Sequence, residues 1–324
     1  MQGLVTSTWV SPAEQARRDR LGWIAAALVI AAFTLAPLVI YPVFVLKLMC
    51  FTLFVGSFAL LLGQVGLLSF GHAAFFGTGA YLTAHAAKVW GLEPLTCLLL
   101  STAAAAVLGL LFGYLAIRRK GIYFSMITLA LAELVAFIAL QAPFTGGENG
   151  LQEVPRGRLL GFIDLEQPAV FYAFVLTLST LGMLALWRTV RSPFGEVLQA
   201  IRDHEPRAVS LGYDVERYKI GAFVISAAVA GLAGGLKALV FQLVTLADVS
   251  FQLSGEVVLM ALLGGVGSIF GPLVGASVVI TLESTLATSS LPAPVVTGLV
   301  FIACVLLFRR GVMGELAARW RSQA

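Results

Sequence analysis

Between Leu21 and Phe308 the chain runs through successive windows of 18 to 25 residues with few or no charges. Each is long enough to cross a hydrocarbon core of about 30 Å as a helix. Lipid offers a backbone no hydrogen-bond partners, and a helix satisfies its own polar groups within one segment. The pattern excludes a soluble fold and predicts an all-α polytopic membrane protein of about ten transmembrane helices. The predicted spans are 21–40, 43–62, 70–89, 95–117, 121–140, 168–188, 218–240, 252–270, 272–290 and 293–308. The crowded 252–308 region also suits a re-entrant segment in place of one span. Composition agrees, with 59% hydrophobic and only 12% charged residues and a mean hydropathy of +0.94. Soluble domains have about half and about a quarter.

Arg17, Arg18 and Arg20 precede the first window, as in a signal peptide. Its length of about 20 residues and the lack of a small-x-small cleavage site predict a retained anchor instead. Cys50, Cys97 and Cys304 each stand alone in or beside a different span, which argues for packing rather than metal or disulfide chemistry. A net charge of +4 and a pI near 9.1 record orientation in such a chain rather than nucleic-acid binding. Ten crossings with both termini cytoplasmic put residues 1–20, the turn near 65, 118–120, 188–219 and 309–324 on one side. Those segments carry 16 of the 21 Lys and Arg residues. The exceptions are Lys47, Lys88, Arg156, Arg158 and Lys237, which can snorkel to an interface from helix ends.

The expected organisation is a cytoplasmic segment 1–20, a membrane domain 21–308 and a cytoplasmic tail 309–324. Within the domain lie an outer loop at 141–167 and an inner loop at 189–217. A short echo links GLLSFG at 66–71 with GVGSIFG at 265–271 but establishes no repeat. Small residues at four-residue spacing mark close helix approaches: Gly109 and Gly113; Ala227, Gly231 and Gly235; Gly267, Gly271 and Gly275. Abundant glycine in membrane helices is the competing explanation.

The inner loop holds nine charged residues in the 28 from Ser192 to Lys219. Ser192 can cap a helix with Pro193 at its first position, and Phe194, Val197, Leu198 and Ile201 fall on one face. A second start follows at Asp203 to Pro206, with Ala208, Val209 and Leu211 as an apolar face and Gly212 as the stop. Asp214 can cap the next span. An interfacial helix lying flat on lipid is one reading. The second helix is too short to be stable without tertiary contacts, and its charges are mixed, which favours docking to a soluble protein.

GQVGLLSFGHAAFFGTGAY, Gly63 to Tyr81, is glycine-rich at membrane depth and predicts close helix contact or a broken helix. His72 inside it is a functional candidate, or a neutral imidazole bonded to a neighbouring group. Glu133, Glu256 and Glu283 also fall in apolar windows, where each should face the interior, a partner or an interface. Surface exposure near the outer end of its span also accounts for Glu256. The outer stretch PFTGGENG, Pro143 to Gly150, has turn chemistry. No phosphate-binding GxxxxGK[ST], no His-Glu-x-x-His and no G-x-S-x-G occur, so no enzymatic site or cofactor is expected.

In their order and spacing, five stretches resemble the inner-membrane permease subunit of branched-chain amino acid ABC importers, the LivM/LivH family and its LivM type in particular. They are the glycine-rich segment, GIYFSMITLALAE at 121–133, TGGENGL at 145–151, the long run from Ser192 to Leu236, and LMALLGGVGSIFGPLVGA at 259–276. Residues 1–20 have no counterpart, and RRGVMG at 309–314 replaces a more usual proline-containing ending.

The resemblance implies an ABC-importer permease fold in the bacterial inner membrane. It makes the inner loop a coupling loop to an ATPase, carried by Glu196, Ala200, Ile201, Arg202, Asp203, Glu205, Arg207 and Gly212. It gives a translocation path to Gly63, Gln64, Ser69, Gly71, His72, Gly77, Gly79, Glu133, Thr145, Gly146, Gly147 and Asn149. Implied partners are two ABC ATPase subunits, a second related permease, a periplasmic solute-binding protein and membrane lipid, with no nucleic acid. The implied solutes are branched-chain or other small amino acids, with urea or short amides as the alternative within the family. An ion-coupled secondary transporter using His72, Glu133 or Glu256 is the reading from another class.

Overall fold

The computed structural model describes residues 26–286 apart from 160, 162 and 269, together with Ile24 and scattered positions between 296 and 315. The predicted segment 1–20 lies outside the described residues, and the predicted span 293–308 and tail 309–324 largely do. The chain separates into two units, residues 1–45 and 46–324. In the first, α1 (Ala26–Leu38) is a short apolar helix that tightens into a 3₁₀ turn at Ala36–Leu38.

Helix α2 (Pro42–Leu60) leads into the second unit and ends in a π turn at Leu61–Val65. It is followed by α3 (His72–Lys88), α4 (Pro94–Ala116), α5 (Ile122–Gln141), α6 (Pro168–Val190), α7 (Pro193–Ser210) and α8 (Val215–Phe241). Two shorter helices, α9 (Phe251–Gly264) and α10 (Gly271–Leu286), close the described fold. Among the described residues, five helices are long and apolar enough to cross a membrane: α2 with its π turn, α4, α5, α6 and α8. They match the predicted spans to within three residues at each end.

Helices α9 and α10 are shorter than the spans expected at 252–270 and 272–290. Their 14 and 16 residues reach roughly 21 and 24 Å. They form a hairpin whose backbones touch. A Cβ on Gly264 would lie 1.9 Å from the Gly271 carbonyl oxygen, and one on Gly275 would lie 1.8 Å from that of Met260. At its open end Glu283 meets Lys47 of α2 at 3.4 Å. At its tip Val266 fills the space a Cβ on Gly63 would need, with its carbonyl oxygen 2.6 Å away. The hairpin therefore runs beside α2 from residue 47 to residue 63, about 24 Å of helix.

The core lies where α3, α4 and α8 meet through glycine. A Cβ on Gly79 would sit 2.1 Å from the Gly231 oxygen, one on Gly234 1.9 Å from that of Phe76, and one on Gly109 2.4 Å from Ala227 Cβ. Of the positions expected to mark close approaches, Gly109, Gly231, Gly235, Gly271 and Gly275 do so. Gly113 has only ordinary contacts and Gly267 faces open space. Fully buried Phe54, Phe58, Phe75, Phe76 and Phe223 fill the space beside this seam.

Contacts between distant segments place the connections in two sets. At one end, Arg118 pairs with Glu216 at 3.2 Å and Lys120 with Glu205 at 2.9 Å, joining the 117–121 turn to the charged loop. This is called the basic end. At the far end, β1 (Leu151–Gln152) pairs antiparallel with β4 (Leu243–Val244), and β2 (Arg158–Leu159) pairs with β3 (Ile163–Asp164). Three of the five outlying basic residues have partners there. Lys88 donates to the Gln152 carbonyl at 2.7 Å, and Arg156 donates to those of Leu239 and Val240 at 3.3 and 3.2 Å. Lys237 meets Asp248 at 2.6 Å. Capping of carbonyls and pairing with a carboxylate is what these three cations do.

Candidate functional site

The charged loop folds as the caps in its sequence direct. Ser192 Oγ accepts from the Gly195 amide at 3.4 Å, and Pro193 opens α7. His204 leaves the helical region at φ −155°, ψ 79°, and divides α7 into the two pieces expected. Inside a continuous helix Pro206 would lose the bond to the Arg202 carbonyl and clash with it, so the helix breaks before it, and a first-turn proline needs no N–H partner. Gly212, at φ +87°, ends the second piece, with the Tyr213 amide reaching back to the Ala208 carbonyl at 3.2 Å. Asp214 Oδ1 then accepts from the Arg217 amide at 3.2 Å and caps α8.

Of the nominated loop residues, Ile201 is buried with Ala208 and Val215, and Val197 and Tyr218 pack against it. Glu196, Ala200, Arg202, Asp203, Arg207 and Gly212 are exposed. The apolar face expected on the second piece splits. Ala208 turns inward, whereas Val209 and Leu211 stand 58% and 69% exposed.

Glu205, at the start of that piece, is clamped by Lys120 at 2.9 Å and by the buried Lys219 at 3.1 Å. Burial alone would raise its pKa. The hydrogen bonds and charges of the two lysines outweigh burial and hold the carboxyl below its ordinary range. Lys120 and Lys219 were absent from the residues nominated by sequence, because nothing in their own segments signals the pairing.

The glycine-rich segment is a broken helix, one of the two outcomes expected for it. After the π turn, Gly66 takes φ +76°, and α3 restarts at His72. Arg202 of α7 reaches the break and its Nη1 donates to the Gly63 carbonyl. His72 is fully buried, and its Nε2 lies 2.9 Å from Ser226 Oγ. The Ser226 proton is committed to the Ser57 carbonyl at 2.6 Å, so His72 Nε2 is the donor in that contact. Its ring stands edge-on to Phe58 and Phe75. This is a hydrogen-bonded core imidazole bridging α2, α3 and α8.

Comparison with known proteins agrees with these features. The sequence profile of the family described as "branched-chain amino acid transport system / permease component" matches residues 40–309. The chain belongs to that family. It is 32% identical over 237 residues to the high-affinity branched-chain amino acid transport system permease protein LivM of Escherichia coli (strain K12). The match covers 66% of this chain and 56% of that one, so the chain matches just over half the length of this relative. It is 29% identical over 234 residues to the probable branched-chain amino acid transport permease protein LivM of Methanocaldococcus jannaschii, covering 68% of this chain and 67% of that one. The probable LivH permease of the same organism is 27% identical over 157 residues, 44% of this chain and 46% of that one. No solved structure matches.

The chain is a multi-pass protein of the inner membrane, and its remaining nominated path residues fall into distinct settings. Ser69, Gly71, Gly77 and Gly79 are buried; Gly77 closes on Val249 and Gly79 on Gly231. Gln64 lines a cavity of about 130 Å³ with Gly56, Met183, Trp187 and Ser268. Thr145 is buried and its hydroxyl donates to the Ala139 and Ala142 carbonyls at 2.5 and 2.6 Å, capping α5. Gly146 and Gly147 adopt positive φ in the same turn, and Asn149 is exposed. Glu133 is exposed midway along α5, on a face shared with Met126, Ala130 and Phe137.

Proposed function

We propose that this chain is the permease subunit of an ATP-driven importer for branched-chain or other small amino acids. On this reading ten crossings put both termini in the cytoplasm, and the basic end docks one of two ABC ATPase subunits. A second related permease completes the path, and a periplasmic solute-binding protein delivers solute to the far end. ATP is hydrolysed by the partner.

The observation that carries this reading is the second piece of α7. A helix of about six residues has no stability of its own, yet it is anchored through Glu205 and leaves Val209 and Leu211 exposed. An anchored apolar pair at the basic end suits a protein partner. Glu133 supports the path. A carboxylate at mid-span facing lipid would cost roughly 2–4 kcal/mol, so this face of α5 meets a second subunit or a water-filled passage. His72, enclosed by aromatic rings, does not favour ion coupling.

The test is purification of the native complex in mild detergent with wild-type chain and with Leu211→Asp. Loss of the ATPase from the variant, with normal membrane insertion, is expected. Concentration of leucine by the lone chain in proteoliposomes under a proton or sodium gradient would overturn the reading.

A further inference from the structure

The end of a helix leaves carbonyl groups without amide partners, and cations are favoured there. α2 meets this problem at its π turn, the kind of irregularity that recurs at functional sites. The partner it finds is not local. Arg202, 139 residues away in sequence, donates through Nη1 to the Gly63 carbonyl. Its Nε and Nη2 hold Asp203 Oδ1 at 3.2 and 3.1 Å, which orients the guanidinium. Its Cγ lies 3.0 Å from where a Cβ on Gly66 would stand, so glycine leaves room for the stem.

Two further facts give the contact a direction. Arg202 lies in the last turn of the first piece of α7, two residues before the hinge at His204, and the second piece leads through the exposed Val209 to its exposed C-cap Leu211. On the other side, the carbonyl of Val266 at the tip of the α9–α10 hairpin packs onto Gly63. The loop, the broken end of α2 and the hairpin tip thus converge on one residue.

We propose that Arg202 is a positioning residue, the link through which movement of the docking loop reaches the inner end of α2. Resting on the docking surface proposed above, this inference assigns Arg202 a role distinct from contact with the ATPase. Capping of Gly63 holds the break in one arrangement, and withdrawal of the guanidinium releases it. Two arrangements biased from one site are what coupling between sites requires.

The test uses the whole importer in proteoliposomes, with whichever of leucine, urea or acetamide the wild type accumulates. Three quantities are read: ATPase recovered per permease, ATP hydrolysed, and solute delivered per ATP. In Arg202→Met the ATPase stays bound and solute per ATP falls about tenfold, the scale of a typical coupling energy. Arg202→Lys, which keeps a cation at the carbonyl, recovers part of the loss. Gly66→Ala, which crowds the Arg202 stem from the opposite side, uncouples in the same way. Unchanged solute per ATP in Arg202→Met, or loss of the ATPase from it, overturns the inference. Should that variant fail to fold, unchanged solute per ATP in Gly66→Ala does so. Retention of the ATPase by Leu211→Asp would instead refute the docking surface, and leave the Arg202 readout to be judged separately.

Discussion

Replacing Glu205 with glutamine keeps its shape and removes its charge. The consequence follows from the two lysines it serves. Lys120 has a side chain 72% exposed and returns to water when its partner goes, but that of Lys219 is 8% exposed and cannot. Stranding a buried charge costs about 3–5 kcal/mol. Glu205 is itself 26% exposed, so screening lowers the figure to about 2 kcal/mol. Because every 1.4 kcal/mol is a factor of ten, the opening equilibrium of the second piece of α7 should rise about 30-fold in Glu205→Gln.

Hydrogen exchange of the full-length protein in detergent reads this directly. Amides of residues 207–212 exchange about 30-fold faster, while those of residues 226–236 in α8 keep their rates. The effect has a definite pH dependence. The folded carboxyl titrates below its unfolded value of about 4.3, so its contribution is complete above that value and disappears as pH falls through the folded one. Wild type and variant should therefore differ at neutral pH and converge in acid. Equal exchange at pH 7, or a gap that widens on acidification, would refute the ion-pair clamp.

Lys237→Met leaves the buried Asp248 carboxylate with only amide support. It should lower thermal stability by about 3 kcal/mol, and Lys237→Met with Asp248→Asn should recover most of that, as read by thermal unfolding in detergent. Gly79→Ala forces a Cβ to 2.1 Å from a backbone oxygen and should destabilise by about 3 kcal/mol or more. Gly267→Ala, in open space, should stay within about 0.5 kcal/mol. Glu133→Gln should leave the stability of the isolated chain unchanged within about 0.5 kcal/mol and lower solute uptake by the complex; normal uptake would remove α5 from the path.

The spans were legible because lipid dictates length and composition before any packing is decided. The loop was legible because caps are local: Ser192, Gly212 and Asp214 act within a few residues of themselves. What the sequence could not show is contact across distance. Nothing near Gly63 announces Arg202, and nothing near Lys219 announces Glu205. The glycine pattern showed that helices approach closely without saying which pairs, so Gly79 with Gly231 emerged only from the fold. The shortness of α9 and α10 was hidden because an apolar run reads alike through a helix and through the turn after it. The same limit applied to His72. A titratable residue in a span draws attention, but its hydrogen bond to Ser226 depends on an element 154 residues later.

The placement of glycine explains why one capped carbonyl can matter to the whole inner bundle. Helices separated by long side chains can slide as rotamers adjust, whereas helices in backbone contact have nothing soft between them. At Gly264 with Gly271 and at Gly275 with Met260, α9 and α10 are of the second kind, so the hairpin is stiff over the turn next to its tip. It touches α2 at both ends, through Val266 on Gly63 and through Glu283 on Lys47. The two contacts are about 24 Å apart along α2. A displacement at the break that Arg202 caps is therefore applied where the hairpin is stiffest. The ion pair at the other end, with both side chains 29% exposed, is a weaker restraint than backbone packing.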